Sequence, residues 1–291
     1  MDKAKGKELK AHNAVLTVAR SEEGATLQEF LADRLKLSRR AAKDLIDQRQ
    51  VWVNRQCVWM ARHNLKGGDV VEAQAGTAAV AAAQSQKRIR VLAESDHYLF
   101  ADKPCGMLSI GPGSLEEALR HQRGEDALRC VHRLDKDTSG CILVAKDDEA
   151  FDAAVAVFKT RRVKKLYDFL AVGRIETAAS TITTPIEGEP AKTTIRRIAF
   201  NDDATFGSAR IETGRTHQIR IHLASIRHPV VGDRVHGLKT SRDQRLIRVP
   251  RQMLHAAEIE LDDPMGRGHL KAHSPLPADF RRCLQMFGLG K

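Results

Sequence analysis

Residues 74–88, QAGTAAVAAAQSQKR, offer no apolar side chain larger than valine. A stretch of that kind cannot supply a core and reads as a linker, with a short helix as the alternative. It forces the chain to fold as two bodies. The 291 residues suffice for one large domain and one small one. The expected division is a polar, loose N-terminus at 1–14, a compact module at 15–73, the linker at 74–88 and a second domain at 89–291.

Within the small module, Leu27, Phe30, Leu31 and Leu35 recur at helical spacing. Ser38 is a good N-cap for a second helix, with Leu45 and Ile46 as apolar positions and Arg39, Arg40 and Lys43 as basic ones. Val51–Val53 then reads as a strand, Asn54-Arg55 as a turn, and Cys57, Val58 and Trp59 as the partner strand. Gly67-Gly68-Asp69 makes a second turn ahead of Val70 and Val71. The basic helix face suits phosphate contacts, which position nucleic acid without reading its sequence. For any single arginine, a solvated helix face is the simpler account.

The second domain alternates short β-rich runs with helical patches. Residues 141–145, 169–172, 195–200 and 219–223 read as strands. Residues 147–160, with Phe151, Val155 and Phe158, suit an amphipathic helix. The connections are too irregular for repeated βαβ units. The expected fold class is therefore α+β: a mixed, largely antiparallel central sheet with flanking helices, plus the small N-terminal α+β module. Residues 237–252, with Lys239, Arg242, Arg245, Arg248 and Arg251, read as a basic surface loop.

The formal net charge of +11 points to a polyanionic partner, nucleic acid first. Cys57, Cys105, Cys130, Cys141 and Cys283 form no C-x-x-C pair, so neither a disulfide framework nor a zinc site is indicated. Reduced thiols in a cytoplasmic protein are expected. No signal peptide is expected, since no apolar run follows the polar start, and no stretch nears the roughly 18 apolar residues of a membrane span. His217 and His222 would lie on opposite faces of a strand, which argues against a shared metal. Residues 110–114 lack the G-K-[ST] ending of a phosphate loop and read as an ordinary turn.

The most informative segment is Val131-His132-Arg133-Leu134-Asp135-Lys136-Asp137-Thr138-Ser139-Gly140. By chemistry alone it is a loop ending in turn formers ahead of a buried strand, and Asp135 or Asp137 could simply cap that turn. Over its whole length the segment resembles the H-R-L-D-x-x-T-S-G motif of the RluA-type pseudouridine synthases. Those enzymes modify large-subunit ribosomal RNA and some transfer RNAs. Lys103-Pro104-Cys105-Gly106 resembles the family's K-P-x-G turn, and Lys165-Leu166-Tyr167 its K-x-Y segment. Thr213-Gly214-Arg215-Thr216-His217-Gln218-Ile219-Arg220 is similar to its T-G-R-x-H-Q-(aliphatic)-R segment. His228-Pro229, Gly232-Asp233 and Leu254-His255-Ala256 follow in the expected order. One departure is Val235-His236-Gly237, where the family usually has Tyr before the Gly; this should alter packing rather than chemistry. Residues 15–73 resemble the S-four-like RNA-binding module first described in a ribosomal small-subunit protein. Arg55 stands where that module's turn usually has Gly, so the turn must tolerate a side chain or take another type.

The resemblance implies the pseudouridine synthase catalytic fold and an RNA uridine-isomerising enzyme that needs no cofactor and no metal. Asp135 matches the catalytic carboxylate; whether it attacks ribose, adds to the base or assists a glycal intermediate stays open. Arg220 matches an arginine that pairs with that carboxylate and would lower its pKa by about 1–3 units. Tyr167 matches a residue that stacks on uracil and shares in the proton transfer; the alternative is a buried tyrosine with a satisfied hydroxyl. Arg133 matches an arginine that helps hold the flipped base out of the stack. Arg39, Arg40 and Lys43 would meet RNA through the small module. The implied partner is large-subunit ribosomal RNA, with transfer RNA as the alternative; a monomer with no obligate protein partner is the default expectation. A non-catalytic RNA-binding or ribosome-assembly protein is the competing class, disfavoured by the intact Asp135, Tyr167 and Arg220. An unrelated aspartate-dependent hydrolase is disfavoured too, because no second carboxylate sits in a comparable motif.

Overall fold

The computed structural model describes residues 14–35, 37, 39–47, 49–73, 88–160, 162–238, 240, 243–266 and 268–290. Ser38, Lys239, Arg242 and residues 74–87 of the expected linker lie outside the described residues, as does the Arg40 side chain. The chain divides into two units, Met1–Lys87 and Arg88–Lys291.

In the first unit, Thr26 Oγ1 accepts from the Glu29 amide at 3.3 Å, and the Glu29 carboxylate accepts from the Thr26 amide at 3.3 Å. This reciprocal cap starts the helix Leu27–Arg34. Its Leu27, Phe30 and Leu31 share a core with Ala42, Leu45 and Ile46 of the helix Arg39–Asp47. Four strands complete the unit: β1 (Ala14–Thr17), β2 (Val51–Val53), β3 (Gln56–Cys57) and β4 (Val70–Ala73). They pair antiparallel in the order β1-β4-β2-β3. The β2–β3 turn has φ 50 at Asn54 and φ 64 at Arg55. It therefore keeps the two left-handed residues of a tight hairpin turn and carries a side chain at both. Asn54 helps hold this strained turn, donating from Nδ2 to Asp69 at 2.8 Å and accepting from the Val70 amide at 2.9 Å. The partner strand stops at Cys57, earlier than expected, and Trp59 is left half exposed.

The second unit is built on β5 (Arg90–Glu94), β6 (Tyr98–Lys103), β7 (Arg129–Cys130), β8 (Ser139–Ala145), β9 (Lys164–Val172), β10 (Ala179–Ile182), β11 (Thr193–Phe200), β12 (Ala204–Ile211), β13 (Leu254–Asp262) and β14 (His269–His273). The sheet runs β10-β11-β12-β9-β13-β8-β6-β5, with β14 on β13 and β7 on β8. The β8–β13 pairing is parallel and the others are antiparallel. All seven residues of β8 are buried, and its side chains alternate between two cores. Ile142 and Val144 join Leu99, Tyr167 and Phe169 on one face, covered by the helices Leu115–Arg123 and Gln218–Ser225. Cys141 and Leu143 join Tyr98 and Phe100 on the other, covered by the helix Asp148–Lys159. At the start of β8, Gly140 has φ 118, and a Cβ there would collide with the backbone of Ala256 on β13.

Two sequence expectations need correcting. Residues 219–223 are helical, inside Gln218–Ser225, not a strand. His217 turns the chain with φ 55, after which Ile219 and Leu223, one helical turn apart, share the buried stripe. The alternation Ile-Arg-Ile-His-Leu is too short to separate the two periods. Nor is 237–252 a surface loop throughout. Gln244–Arg248 is a short helix, and Arg251 is 4% exposed, bonded to Asp279, to Ser139 Oγ and to the carbonyls of Asp137, Gln252 and Leu254. Among the described residues, no helix is long and apolar enough to cross a membrane. Among them too, no group of three His, Cys, Asp or Glu is arranged to hold a metal ion.

Candidate active site

Asp135 sits in the turn that feeds β8, with the Thr138 amide donating to its carbonyl at 3.1 Å. The backbone on either side of it is clamped. Ser109 Oγ donates to the Leu134 carbonyl at 3.1 Å and accepts from the Leu134 amide at 2.9 Å. Lys103, with no exposed surface, donates to the carbonyls of Pro104, Met107 and Lys136 at 3.0, 2.7 and 3.0 Å. Burial pulls the Lys103 ammonium down to about 8. Arg251 donates to the Asp137 carbonyl at 3.1 Å. These bonds fix the loop and leave the Asp135 carboxylate as its one described acidic group aimed into a cleft.

The carboxylate is 24% exposed and has three neighbours. Arg220 Nη1 donates to Oδ2 at 2.9 Å, Gln252 Nε2 donates to it at 3.4 Å, and His217 Nε2 lies 3.9 Å away. Arg220 is itself gripped on its far side by Asp233, from Nε at 2.6 Å and Nη2 at 2.9 Å. Asp233 also accepts from the amides of Val235 and His236 at 2.9 and 3.0 Å. Burial alone would lower Arg220 and raise Asp233. Their mutual bonds, with those amides and Asp135, outweigh it, so Arg220 is raised and Asp233 lowered. A fully buried carboxylate thus orients a buried guanidinium, which presents one N–H to Asp135.

The sequence dictates how these parts arrive. Arg220 rides on the helix Gln218–Ser225, entered through left-handed His217. Gln218 pins the preceding loop, accepting from Thr213 Oγ1 at 2.6 Å and donating to the Lys192 carbonyl at 2.9 Å. Tyr167 is delivered by β9 and is 8% exposed. Burial, then the nearby Asp135 charge, pushes its hydroxyl well above the usual tyrosine range, so it stays protonated. Arg133, Asp135, Tyr167, Arg215, His217 and Arg220 line one open cleft.

Asp135, Tyr167, Arg220 and Arg133 therefore come together as the sequence suggested. Arg39 and Lys43 belong to the other unit. There they are exposed, Arg39 3.9 Å from Glu29 and Lys43 2.7 Å from Asp47. Asp233, Gln252, Lys103 and Arg251 received no role from the sequence. Gly232-Asp233 stood out only as a matching segment, and nothing local marks Gln252. His132 of the motif is structural: its Nε2 accepts from the Leu143 amide at 3.1 Å, its ring stacks on Phe158, and burial pulls it down to about 3. His222 is buried between Thr193 Oγ1 and the Thr184 carbonyl, while His217 faces His236. The two do not converge on a common site.

The family described as RNA pseudouridylate synthase matches residues 97–225, and the S4 domain matches residues 26–71. The ribosomal large subunit pseudouridine synthase D of Nitrosomonas europaea is 33% identical, over 97% of this chain and 90% of the relative. The ribosomal large subunit pseudouridine synthase C of Vibrio cholerae is 31% identical, over 90% and 92%. A solved structure, human RNA pseudouridylate synthase domain containing 1, superposes with a TM-score of 0.59 at 26% identity, covering 68% of this chain and 88% of that one. The chain belongs to the RNA pseudouridine synthase family.

Proposed function

We propose that this protein isomerises uridine to pseudouridine in large-subunit ribosomal RNA, with Asp135 as the catalytic carboxylate. The reaction breaks the bond from ribose C1′ to uracil N1 and remakes it from C1′ to C5. N1 gains a proton and C5 loses one, so the balance closes without cofactor or co-reactant. What the chain must supply is an ionised carboxylate, a place for an extruded base and a route for the proton. The observation that carries the reading is the brace Asp233–Arg220–Asp135 at the edge of the open cleft. Arg220 aims the Asp135 carboxylate through its hydrogen bond and costs no reorganisation when the substrate arrives. Tyr167, held neutral beneath the cleft, offers a ring face to uracil and a hydroxyl hydrogen to a developing charge. Arg133, exposed at the rim, can enter the space that a flipped base leaves.

The ribosomal substrate follows the names of the relatives, which the chain matches over most of their length. The S4-domain match supports RNA contact through the first unit, where Arg39 and Lys43 are exposed. Five free cysteines fit a reducing cytoplasm.

Asp135→Asn tests the chemistry. It should abolish product from an rRNA transcript while RNA affinity stays nearly intact; a variant that still turns over sinks the assignment. Pseudouridine mapping by carbodiimide labelling and reverse-transcription stops, with and without the gene, tests the substrate. Loss of stops in large-subunit rRNA is expected. Loss confined to transfer RNA would keep the reaction and replace the substrate.

A further inference from the structure

Two imidazoles stand in line behind Asp135. His217 Nε2 lies 3.9 Å from Asp135 Oδ2. His217 Nδ1 lies 3.0 Å from His236 Nε2, with the rings edge to face and their centroids 5.1 Å apart. Both residues are held through their backbones. His217 holds the left-handed entry to the helix Gln218–Ser225, and the His236 amide donates at 3.0 Å to Asp233, the carboxylate that grips Arg220. At Gly237 a Cβ would collide with the Asp233 carbonyl oxygen, so the turn that presents His236 requires glycine.

A neutral imidazole carries one N–H and one bare nitrogen, and the contact between the two rings needs one of them to donate. If His217 donated from Nδ1, its bare Nε2 would turn a lone pair towards a carboxylate. If His236 donates from Nε2, His217 keeps its hydrogen on Nε2, facing Asp135. An ionised Asp135 favours the second arrangement, because the hydrogen bond made by one ring nitrogen decides what the other presents. We propose that His236 is a positioning residue: its Nε2–H donates to His217 Nδ1 and so holds the His217 Nε2–H towards Asp135. The proposal rests on the reading of Asp135 as the catalytic carboxylate.

The groups facing His236 are Asp233, Arg220, His217 and Asp135. Burial, assisted by Arg220 and His217 and opposed by Asp233 and Asp135, holds His236 below the usual imidazole range. It is therefore neutral near pH 7, with one hydrogen to give. Acid undoes the arrangement. Once the pair gains a proton, an imidazolium stands beside Asp135 in addition to Arg220, ties up the carboxylate, and turnover falls.

The test is the pH dependence of kcat and kcat/KM of the full chain on an rRNA transcript, for wild type, His236→Phe and His236→Gln. Phenylalanine keeps a ring against His217 but removes the N–H. Glutamine restores a donor that does not titrate. Expected for His236→Phe is a loss of about tenfold in kcat, the low end for an outer hydrogen-bond partner of a functional histidine, with KM unchanged. Its acid limb should differ from that of wild type, because the His236 imidazole no longer takes part in the acid transition. His236→Gln should recover most of kcat. A His236→Phe profile that superposes on wild type overturns the proposal, as does an equal loss in both variants. If Asp135→Asn is inactive while His236→Phe matches wild type, only this inference falls; an active Asp135→Asn takes the underlying reading with it.

Discussion

Lys43 in the first unit and Lys103 in the second carry the same ammonium, yet one stands in water beside Asp47 and the other has no exposed surface. The same contrast separates Arg39, its side chain 78% exposed, from Arg220, at 5%. An exposed cation gains little from a neighbouring carboxylate and remains available to a phosphate. A buried cation must satisfy its donors inside the protein to offset desolvation. Its bonds then fix whatever they reach, and here Lys103, Arg220 and Arg251 reach the loop and carboxylate of Asp135. The net charge of +11 counts both kinds alike, so it overstates the surface available to RNA.

The contrast can be broken most sharply at Arg220. Arg220→Met leaves Asp233 buried with backbone amides alone, and should cost about 3–5 kcal/mol of stability together with nearly all turnover. Denaturant unfolding and a product assay check both. An unchanged unfolding midpoint would mean that the buried cation is no strut. Lys103→Met comes next. It takes a donor from three carbonyls, of which Lys136 keeps the Gly106 amide, at about 1–3 kcal/mol for each that stays unsatisfied, and slows turnover by loosening the loop at Lys136.

Lys103 also has a pH signature. Its folded value, about 8, lies below the ordinary 10.5. Between those values the unfolded chain holds more protons than the folded one. Through this group, stability therefore rises with pH across that window. Unfolding measured from pH 7 to 10 should show a component of that sign in wild type, absent in Lys103→Met. The smallest effect belongs to the first unit. Arg39→Ala combined with Lys43→Ala should leave the melting temperature where it was, weaken RNA binding, and flatten its salt dependence by about one unit of slope per lost phosphate contact. An unaltered slope would remove these side chains from the RNA surface.

What the sequence made legible follows the same division. Asp135, Tyr167 and Arg220 were readable because each lies in a short ordered motif. The helices and the hairpin of the first unit were readable because their periodicity and turn chemistry are local. The brace was not. Asp233 acts through a bond to Arg220, Gln252 through bonds to Asp135 and Thr138, and Arg251 through the Asp137 carbonyl. The partners of Gln252 and Arg251 lie more than 110 positions away, Asp233 lies 13 positions beyond Arg220, and no local pattern records any of these bonds. Arg251 read as a surface cation because its neighbours in sequence are basic; its burial is decided by Asp279 on the last helix. Residues 219–223 read as a strand because five residues cannot distinguish two periods, and the left-handed His217 that redirects them is a rare event that composition does not announce.

Gly140 gives the motif a second meaning. It lies five positions after Asp135, and the close approach of Ala256 leaves it no room for any side chain. In a screen that scores modified RNA alone, a loss at either position would look alike. Weighed by protein abundance they part: a changed Gly140 wedges two strands and depletes the folded protein, whereas, if Asp135 is the carboxylate proposed above, a change there leaves the protein plentiful and idle. On that proposal one short stretch of sequence answers to two unrelated demands, folding at one end and chemistry at the other.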